Sequence, residues 1–115
     1  LTFKENCPDI RNSKVEDIID RLSEYEIKPV IIDPWAEPEE AKREYHVDLA
    51  QMHEAKDADC VIFAVAHDEF KNLSWNQIAA MYKTETTEKE RVLIDVKGIR
   101  NRSEAEDKGY QYWRL

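Results

Sequence analysis

Glycine is scarce in this 115-residue chain, which contains only Gly98 and Gly109. Loops that cradle phosphate with backbone amides need several glycines close together, so no glycine-rich phosphate loop lies in this stretch. Any run of about 18 consecutive apolar residues, the length of a membrane span, is also absent, as is the pattern of a signal peptide. From these absences we expect a cytoplasmic location and no membrane partner.

Cysteine is equally rare, with one residue in a polar loop, Cys7, and one at the start of an apolar run, Cys60. Two cysteines make neither a disulfide framework nor a metal site. The sequence therefore favours two reduced thiols over a bridge, and no bound metal is expected.

Positive charge is in deficit, since 17 Lys and Arg face 25 Asp and Glu for a net charge of -8. A general nucleic-acid binder normally shows a basic face, so no nucleic-acid partner is expected. A small anionic ligand held by a few cations is still compatible with this charge. The length and the 42% apolar content suit one compact domain with a core.

The first half of the chain alternates helical and extended patterns. Ser13 and Glu16 predict a capping box, followed by an amphipathic helix with one buried stripe. The stripe consists of Val15, Ile18, Ile19, Leu22 and Tyr25. Next come a short strand over Lys28–Asp33, a helix from Glu39 to about Tyr45 with Pro38 in its first turn, at best a short strand at Val47–Leu49, and a helical turn at Gln51–Lys56.

The second half continues the alternation. An apolar run without polar alternation, Cys60–Ala66, predicts a strand buried on both faces. The remaining elements are a capping box and helix from Ser74 to Tyr82, a polar loop at Lys83–Glu90, a strand at Arg91–Asp95, a polar stretch at Arg100–Lys108 and a last strand at Tyr110–Trp113. Strands alternating with helices predict an α/β fold with a mainly parallel sheet.

Ligands of parallel sheets bind beyond the carboxyl ends of the strands. The loops expected at that edge are Phe3–Asn12, Asp33–Trp35, His67–Phe70 and Val96–Gly98, and they carry three cations, Lys4, Arg11 and Lys97. Cations gathered there by an acidic chain are typical of phosphate binding. The first loop needs a strand before it, and because only Leu1–Phe3 remains, we expect a truncated first strand.

Four motifs in order carry a family resemblance: Phe3-Lys4, Asp9-Ile10-Arg11-Asn12-Ser13, Asp33-Pro34 and Asp95-Val96-Lys97-Gly98. With them, essentially the whole chain resembles the C-terminal, UDP-binding domain of the UDP-glucose/GDP-mannose dehydrogenase family. The forms FKENCPDIRN, Asp33-Pro34-Trp35 and Val65-Ala66-His67 are most similar to the UDP-N-acetylhexosamine 6-dehydrogenases.

The resemblance implies that residues 1–115 are the C-terminal domain of a larger dehydrogenase. It implies a Rossmann-like three-layer sandwich, with NAD bound mainly by an N-terminal domain that this chain lacks. The whole enzyme would oxidise the C6 alcohol of a UDP-hexose or UDP-N-acetylhexosamine to the uronic acid, for capsule or O-antigen polysaccharide. This segment alone would be inactive, and the full-length protein would pair with other domains of its chain and form a homodimer or a larger homo-oligomer.

The resemblance also assigns roles residue by residue. Phe3 and Lys4 match a pair that contacts the nucleotide sugar, and Arg11 matches an arginine that reaches the NAD. Lys97 occupies a position that is often an arginine in contact with the nucleotide sugar, and it keeps the charge but loses the planar fork. No catalytic residue is expected in this segment, so neither cysteine is taken for the nucleophile.

Each assignment has a plainer alternative. Lys4 and Arg11 could be solvated side chains, and a lone His67 is more often structural than a base. Lys97 could cap a strand end or pair with Asp95. In a different functional class, the chain could be a free-standing nucleotide-binding or regulatory α/β module. A receiver-like signalling domain is disfavoured, because the acidic cluster that such domains carry at their strand ends is not evident.

Overall fold

The computed structural model describes residues 1–11, 13–84 and 91–114. Contacts divide the chain into two compact units, Leu1–Ala55 and Lys56–Leu115. Each unit combines helices with strands, and every strand pair between the described strands is parallel. The α/β class and the parallel pairing that the sequence predicts are therefore confirmed.

The first unit has two helices and a two-stranded sheet. Its elements are α1 (Val15–Glu24), β1 (Ile31–Ile32), α2 (Pro38–Tyr45), β2 (Leu49–Ala50) and a 3-10 turn (Met52–Glu54). Strands β1 and β2 pair in parallel, with Ile31 opposite Leu49. The order of elements follows the prediction, but both strands are shorter than the apolar pattern indicates.

Helix α1 begins differently from the prediction. The N-cap position is Lys14, whose backbone is helical and whose side chain makes no capping bond. The Ser13 hydroxyl instead accepts from the backbone N–H of Val15 at 3.2 Å, which is a local turn and not a capping box. The predicted capping box is wrong here, and none of the residues of α1 is fully buried.

Helix α2 follows the prediction at both ends. Pro38 stands at its first position, where the fixed φ of proline suits the helix and its missing N–H leaves no bond unmade. The helix ends at Tyr45, and the next residue, His46, is its C-cap. His46 takes a left-handed φ of 57° and donates its N–H to the carbonyl of Lys42 at 3.0 Å. Ala41 is fully buried, so α2 packs through a small residue.

The second unit contains a three-stranded parallel sheet. Its elements are β3 (Cys60–Phe63), α3 (Asp68–Lys71), α4 (Trp75–Ala79), β4 (Val92–Asp95), α5 (Arg102–Asp107) and β5 (Gln111–Arg114), and the strand order is β3-β4-β5. Phe63 lies opposite Asp95, and Asp95 lies opposite Arg114. The predicted capping box of Ser74 and Gln77 is confirmed.

Two elements of this unit depart from expectation. Strand β3 ends at Phe63, and Cys60 at its start is exposed, so the strand is not buried along its length. Helix α5 falls in the polar stretch that no apolar period marks. The sequence signal for this helix is its N-cap, Asn101, whose side chain accepts a hydrogen bond from the N–H of Glu104 at 3.0 Å. Most of the predicted loop Lys83–Glu90 lies outside the described residues.

The core of the second unit combines aliphatic and aromatic side chains. Ile78 and Leu93 are fully buried, and the Tyr110 ring packs on the rings of Trp75 and Tyr82 at centroid distances of 5.2 and 5.8 Å. Side chains alternate along a strand, so Tyr112 is buried. The next residue, Trp113, is 61% exposed.

Candidate functional site

The opening loop is closed by its own backbone. Phe3 donates its N–H to the carbonyl of Asp9 at 2.7 Å, and Asn6 turns the chain with a left-handed φ of 53°. The loop is fixed at its far end by Ile10, whose side chain is buried and whose carbonyl accepts the hydroxyl of Tyr45. The loop therefore has a defined shape, and it leaves Phe3 55% exposed.

A buried carboxylate fixes the start of this loop. Asp33, directly after β1, accepts from the nitrogens of Leu1 and Thr2 at 2.8 Å each. Its other oxygen accepts from the N–H groups of Trp35 and Ala36 at 2.9 and 3.2 Å. Burial raises the pKa of Asp33, but the charge of the Leu1 nitrogen and these hydrogen bonds outweigh it and lower the pKa to about 2. Asp33 is thus an ionised anchor.

Lys4 is carried on the exposed part of this loop. Within residues 1–11, 13–84 and 91–114, no hydrogen bond or ion pair holds its ammonium group. A cation presented by a fixed backbone and left without a partner suits an anionic ligand. The nucleotide-sugar contact of Lys4 stays a prediction.

Arg11 differs from Lys4 because it already has a carboxylate partner. Its Nε and Nη2 donate to the two oxygens of Asp9 at 3.0 Å each, in a side chain that is 82% exposed. The hydrogen bonds from Arg11 lower the pKa of Asp9 to about 2. Asp9 therefore supports Arg11 through both its backbone and its side chain, while the NAD contact of Arg11 stays a prediction.

The loops that follow β3 and β4 leave the second sheet at the same edge, as parallel pairing requires. Val96 donates its N–H to the carbonyl of Phe63 at 3.0 Å and so joins the two strand ends. On the β3 side, His67 is fully buried and packs on Phe70 with ring centroids 5.4 Å apart. On the β4 side, Lys97 is exposed.

A second buried carboxylate shapes the loop of Lys97. Asp95, the last residue of β4, accepts the N–H groups of Ile99 and Arg100 at 3.0 and 2.9 Å and also the hydroxyl of Tyr112. The alternative that Lys97 pairs with Asp95 is wrong for the described structure, because no ion pair joins these two side chains. Phe3, Lys4 and Arg11 lie in the first unit and Lys97 in the second.

Two further residues, which the sequence pattern does not single out, support the Lys97 loop. The Arg114 guanidinium donates from Nε and Nη2 to the hydroxyl of Tyr112 at 3.2 and 3.0 Å, and from Nη2 to the carbonyl of Arg100 at 2.6 Å. Burial raises the pKa of Tyr112, and its hydrogen bond to Asp95 raises it further. The only cue in the sequence is strand alternation, which turns Tyr112 inward.

Neither metal nor membrane chemistry is indicated within the described ranges. Residues 1–11, 13–84 and 91–114 contain no group of three or more His, Cys, Asp or Glu side chains that could hold a metal ion. The helices of this part of the chain are all too short or too polar to cross a bilayer. Cys7 and Cys60 are both free thiols, as expected.

Comparison with models of protein families shows the family to which the chain is related. Residues 1–102 match the model of the UDP-glucose/GDP-mannose dehydrogenase family, UDP binding domain. The chain belongs to this family. The resemblance carried by the Phe3-Lys4, Asp33-Pro34 and Asp95–Gly98 motifs is therefore confirmed.

Individual relatives agree with the family assignment. The chain is 44% identical over 97 residues to UDP-N-acetyl-D-glucosamine 6-dehydrogenase of Pseudomonas aeruginosa, covering 84% of this chain and 22% of that protein. It is 38% identical over 99 residues to the Salmonella typhi enzyme of the same name, covering 86% and 22%. The chain thus spans less than a quarter of these relatives.

A solved structure supports the fold. The UDP-N-acetyl-mannosamine dehydrogenase Cap5O from S. aureus matches with a TM-score of 0.65 and 28% identity, over 99% of this chain and 24% of that one. The predicted Rossmann-like α/β fold is confirmed by this match. The ligand contacts of Phe3, Lys4, Arg11 and Lys97 stay predictions.

Proposed function

We propose that this chain is the UDP-sugar-binding domain of an NAD-dependent nucleotide-sugar 6-dehydrogenase. The family match over residues 1–102 supports the binding of UDP. The observation that carries the proposal is the unpartnered Lys4 ammonium on a loop that is closed by its own backbone and anchored to Asp33. The preferred substrate is a UDP-N-acetylhexosamine, in agreement with the names of the relatives.

Within this proposal the exposed cations have separate tasks. In the first unit, Lys4 contacts the nucleotide sugar, and the exposed ring of Phe3 lies against it. For Lys97, in the second unit, the proposed nucleotide-sugar contact rests on the family resemblance. Arg11 reaches the NAD, and Asp9 holds its guanidinium extended for that contact. The charge of -8 gives the chain no general affinity for anions, so binding depends on these few positions.

The domain contributes binding energy and not bond chemistry. Holding the UDP part of the substrate fixes the C6 alcohol relative to groups on other domains, which lowers the entropic part of the barrier. Two NAD, held mainly by those domains, would each accept one hydride as the alcohol is oxidised to the uronic acid, and water would supply the second carboxylate oxygen. The product would supply capsule or O-antigen polysaccharide, and we propose a cytoplasmic, homo-oligomeric enzyme.

The role of Lys4 is tested by isothermal titration of the full-length polypeptide with UDP-N-acetylglucosamine. Lys4→Ala should weaken binding by about 10- to 100-fold, since a hydrogen bond to a charged group contributes about 1.5–3 kcal/mol. Lys28→Ala is the matched control, because Lys28 is an exposed lysine of the same unit outside the loop. Equal affinities for wild type and Lys4→Ala would contradict the proposed site.

The division of labour is tested with the 115-residue chain alone. Mixed with UDP-N-acetylglucosamine and NAD, it should produce no NADH absorbance. Appreciable turnover would refute the assignment of catalysis to other domains. The reading frame upstream separates the proposal from a free-standing regulatory module, because a dehydrogenase requires a strand followed by GxGxxG and a cysteine nucleophile there.

A further inference from the structure

The end of β5 supports the loop that carries Lys97. We propose that Arg114, acting through Tyr112 and Asp95, is a positioning residue that fixes the loop between β4 and α5 and thereby holds Lys97 in place for the UDP-sugar. The inference rests on the proposed function, and it deepens that function by naming what orders the Lys97 loop. Strand β5 lies beyond residues 1–102, which the family model matches.

The contacts form a continuous series from β5 to the loop. Arg114 donates two N–H groups to the Tyr112 hydroxyl, and that hydroxyl donates to Asp95. Asp95 in turn accepts the backbone N–H groups of Ile99 and Arg100. Asp95 is fully buried and Tyr112 is 6% exposed, so the bond between them is shielded from competing water. The bonds that Arg114 donates to Tyr112 are partly buried.

The Tyr112 hydroxyl accepts hydrogen bonds from Arg114 and donates one to Asp95. A hydroxyl has one proton, and the Tyr112 oxygen lies 3.1 Å from the carbonyl of Arg100 as well as close to Asp95. Arg114 donates two N–H groups to the hydroxyl oxygen and so fills its two lone pairs, and it also donates to the carbonyl of Arg100 at 2.6 Å. The hydroxyl is thereby limited to donating, and the carboxylate of Asp95 is its closer and stronger acceptor.

The same arrangement holds the backbone of Arg100 on both sides. Its N–H is bound by Asp95 at 2.9 Å, and its carbonyl is bound by Arg114 at 2.6 Å. Without the guanidinium, both Tyr112 and this carbonyl lose a charged donor. The loop would then exchange between conformations.

Gly98 shows how closely the loop lies on Arg114. Its φ is +66°, and a Cβ added there would lie 3.1 Å from Nε and 3.3 Å from Cζ of Arg114. Only glycine combines this left-handed backbone with such a close approach at little cost. Lys97 immediately precedes Gly98, so the contact that shapes Gly98 also sets the direction in which Lys97 leaves the loop.

Arg102 supplies a matched control within the same unit. Its guanidinium lies over the Tyr112 ring at 5.4 Å, much as that of Arg114 does at 5.5 Å. Arg102 pairs with Glu106 at 3.6 Å, and no described hydrogen bond joins its side chain to the Lys97 loop. Its removal deletes the same charge and a similar ring contact while leaving the loop bonds intact.

The test is a double-mutant cycle in the full-length polypeptide, measuring KM and kcat with UDP-N-acetylglucosamine and NAD. Lys97→Ala should raise KM about 10- to 30-fold and Arg114→Ala about 10-fold, each with little change in kcat, because both remove uniform binding. The double variant should be no worse than Lys97→Ala, since Arg114 acts through Lys97. Arg114→Lys should recover part of the loss, and Arg102→Ala should stay within about twofold of wild type.

Hydrogen exchange checks the structural half of the inference. Arg114→Ala should speed exchange of the Ile99 and Arg100 amides, while the amides of β3 and β4 stay protected. If Arg114→Ala fails to fold, Gly98→Ala replaces it, because a methyl group there displaces the loop from the intact guanidinium. Its effect on KM should likewise vanish in the Lys97→Ala background.

Two results overturn the inference alone. The first is wild-type binding of the UDP-sugar with effects of Arg114→Ala and Lys97→Ala that multiply. The second is a loss from Arg102→Ala as large as that from Arg114→Ala, which would make the effect one of net charge. If wild type binds no UDP-sugar, the proposed function is wrong and the inference fails with it.

Discussion

Two buried aspartates, one in each unit, lie at the carboxyl ends of their strands. Asp33 directly follows β1 and Asp95 ends β4, and both are strands with a parallel partner. Each carboxylate binds backbone N–H groups of the loop that follows it. Loop cations at a binding edge need a fixed backbone, and in both units a buried charge supplies it.

The two aspartates differ in the kind of donor that they accept from outside the loop. Asp33 binds the nitrogens of Leu1 and Thr2, 32 and 31 residues away in the sequence. Asp95 binds the hydroxyl of Tyr112. A backbone nitrogen can only donate, whereas a hydroxyl can rotate and accept. The outside donors to Asp33 are therefore donors only, whereas the outside donor to Asp95 is a group that can also accept a hydrogen bond.

Asp33→Asn should have the largest effect on stability. An amide keeps one acceptor oxygen, so its NH₂ group must face two N–H donors whichever way it is turned. Leaving these buried donors unsatisfied should lower the free energy of unfolding by about 3 kcal/mol. The measurement is urea denaturation followed by tryptophan fluorescence, to which Trp35, whose N–H is bound by Asp33, contributes.

The control for this change is Asp48→Asn, since Asp48 is 83% exposed and pairs only at the surface with Lys42. It should change the free energy of unfolding by less than about 0.5 kcal/mol. Equal losses from Asp33→Asn and Asp48→Asn would show that the buried carboxylate is not an anchor.

Asp95→Asn should cost less, about 1.5 kcal/mol. Because Oδ1 of Asp95 accepts only from Ile99, an amide that places its NH₂ group on that side leaves one N–H of the loop facing a donor, while Arg100 and Tyr112 keep their acceptor oxygen. Far-UV circular dichroism in urea measures the loss, with the exposed Asp107→Asn as the control. A loss as large as that of Asp33→Asn would remove the distinction between the two anchors.

Sequence pattern predicts the elements that bury a periodic apolar face. Strand β4 and helix α4 are found near where the pattern places them, because their apolar residues and the Ser74 cap are local signals. Helix α5 buries one residue, Ala105, so hydrophobic period gives it no signal and only its cap remains. The short β1 and β2 show the converse, since apolar residues extend beyond the paired segment.

Sequence predicts the site only in part, for a related reason. Asp33 and Asp95 are visible in the sequence as motif residues, but their anchoring role depends on partners 31 and 17 positions away. A single sequence contains no signal for such pairing. The sequence likewise gives no signal for the contacts of Arg114, because a charged residue in an exposed strand resembles an ordinary solvated side chain.

The smallest expected effect is the pH dependence of the stability that Asp33 contributes. In the isolated 115-residue chain, where Leu1 carries a terminal ammonium, the pKa of Asp33 is lowered from 3.8 to about 2, so its contribution to stability is fully present above about pH 4. That contribution is lost as the pH falls through the folded pKa. At pH 3 only part of it is gone, and we therefore expect the urea midpoint of wild type to fall more between pH 5 and pH 3 than that of Asp33→Asn.

The charge on the Leu1 nitrogen sharpens this last test, because it is one of the causes that lower the pKa of Asp33. Adding residues before Leu1 replaces the ammonium by a neutral amide that still donates one hydrogen bond. The lowered pKa should then rise toward its ordinary value, and the loss of stability should begin at higher pH. Asp95 has no such terminal charge near it among its described hydrogen bonds, so the extension should leave the midpoint difference between wild type and Asp95→Asn unchanged.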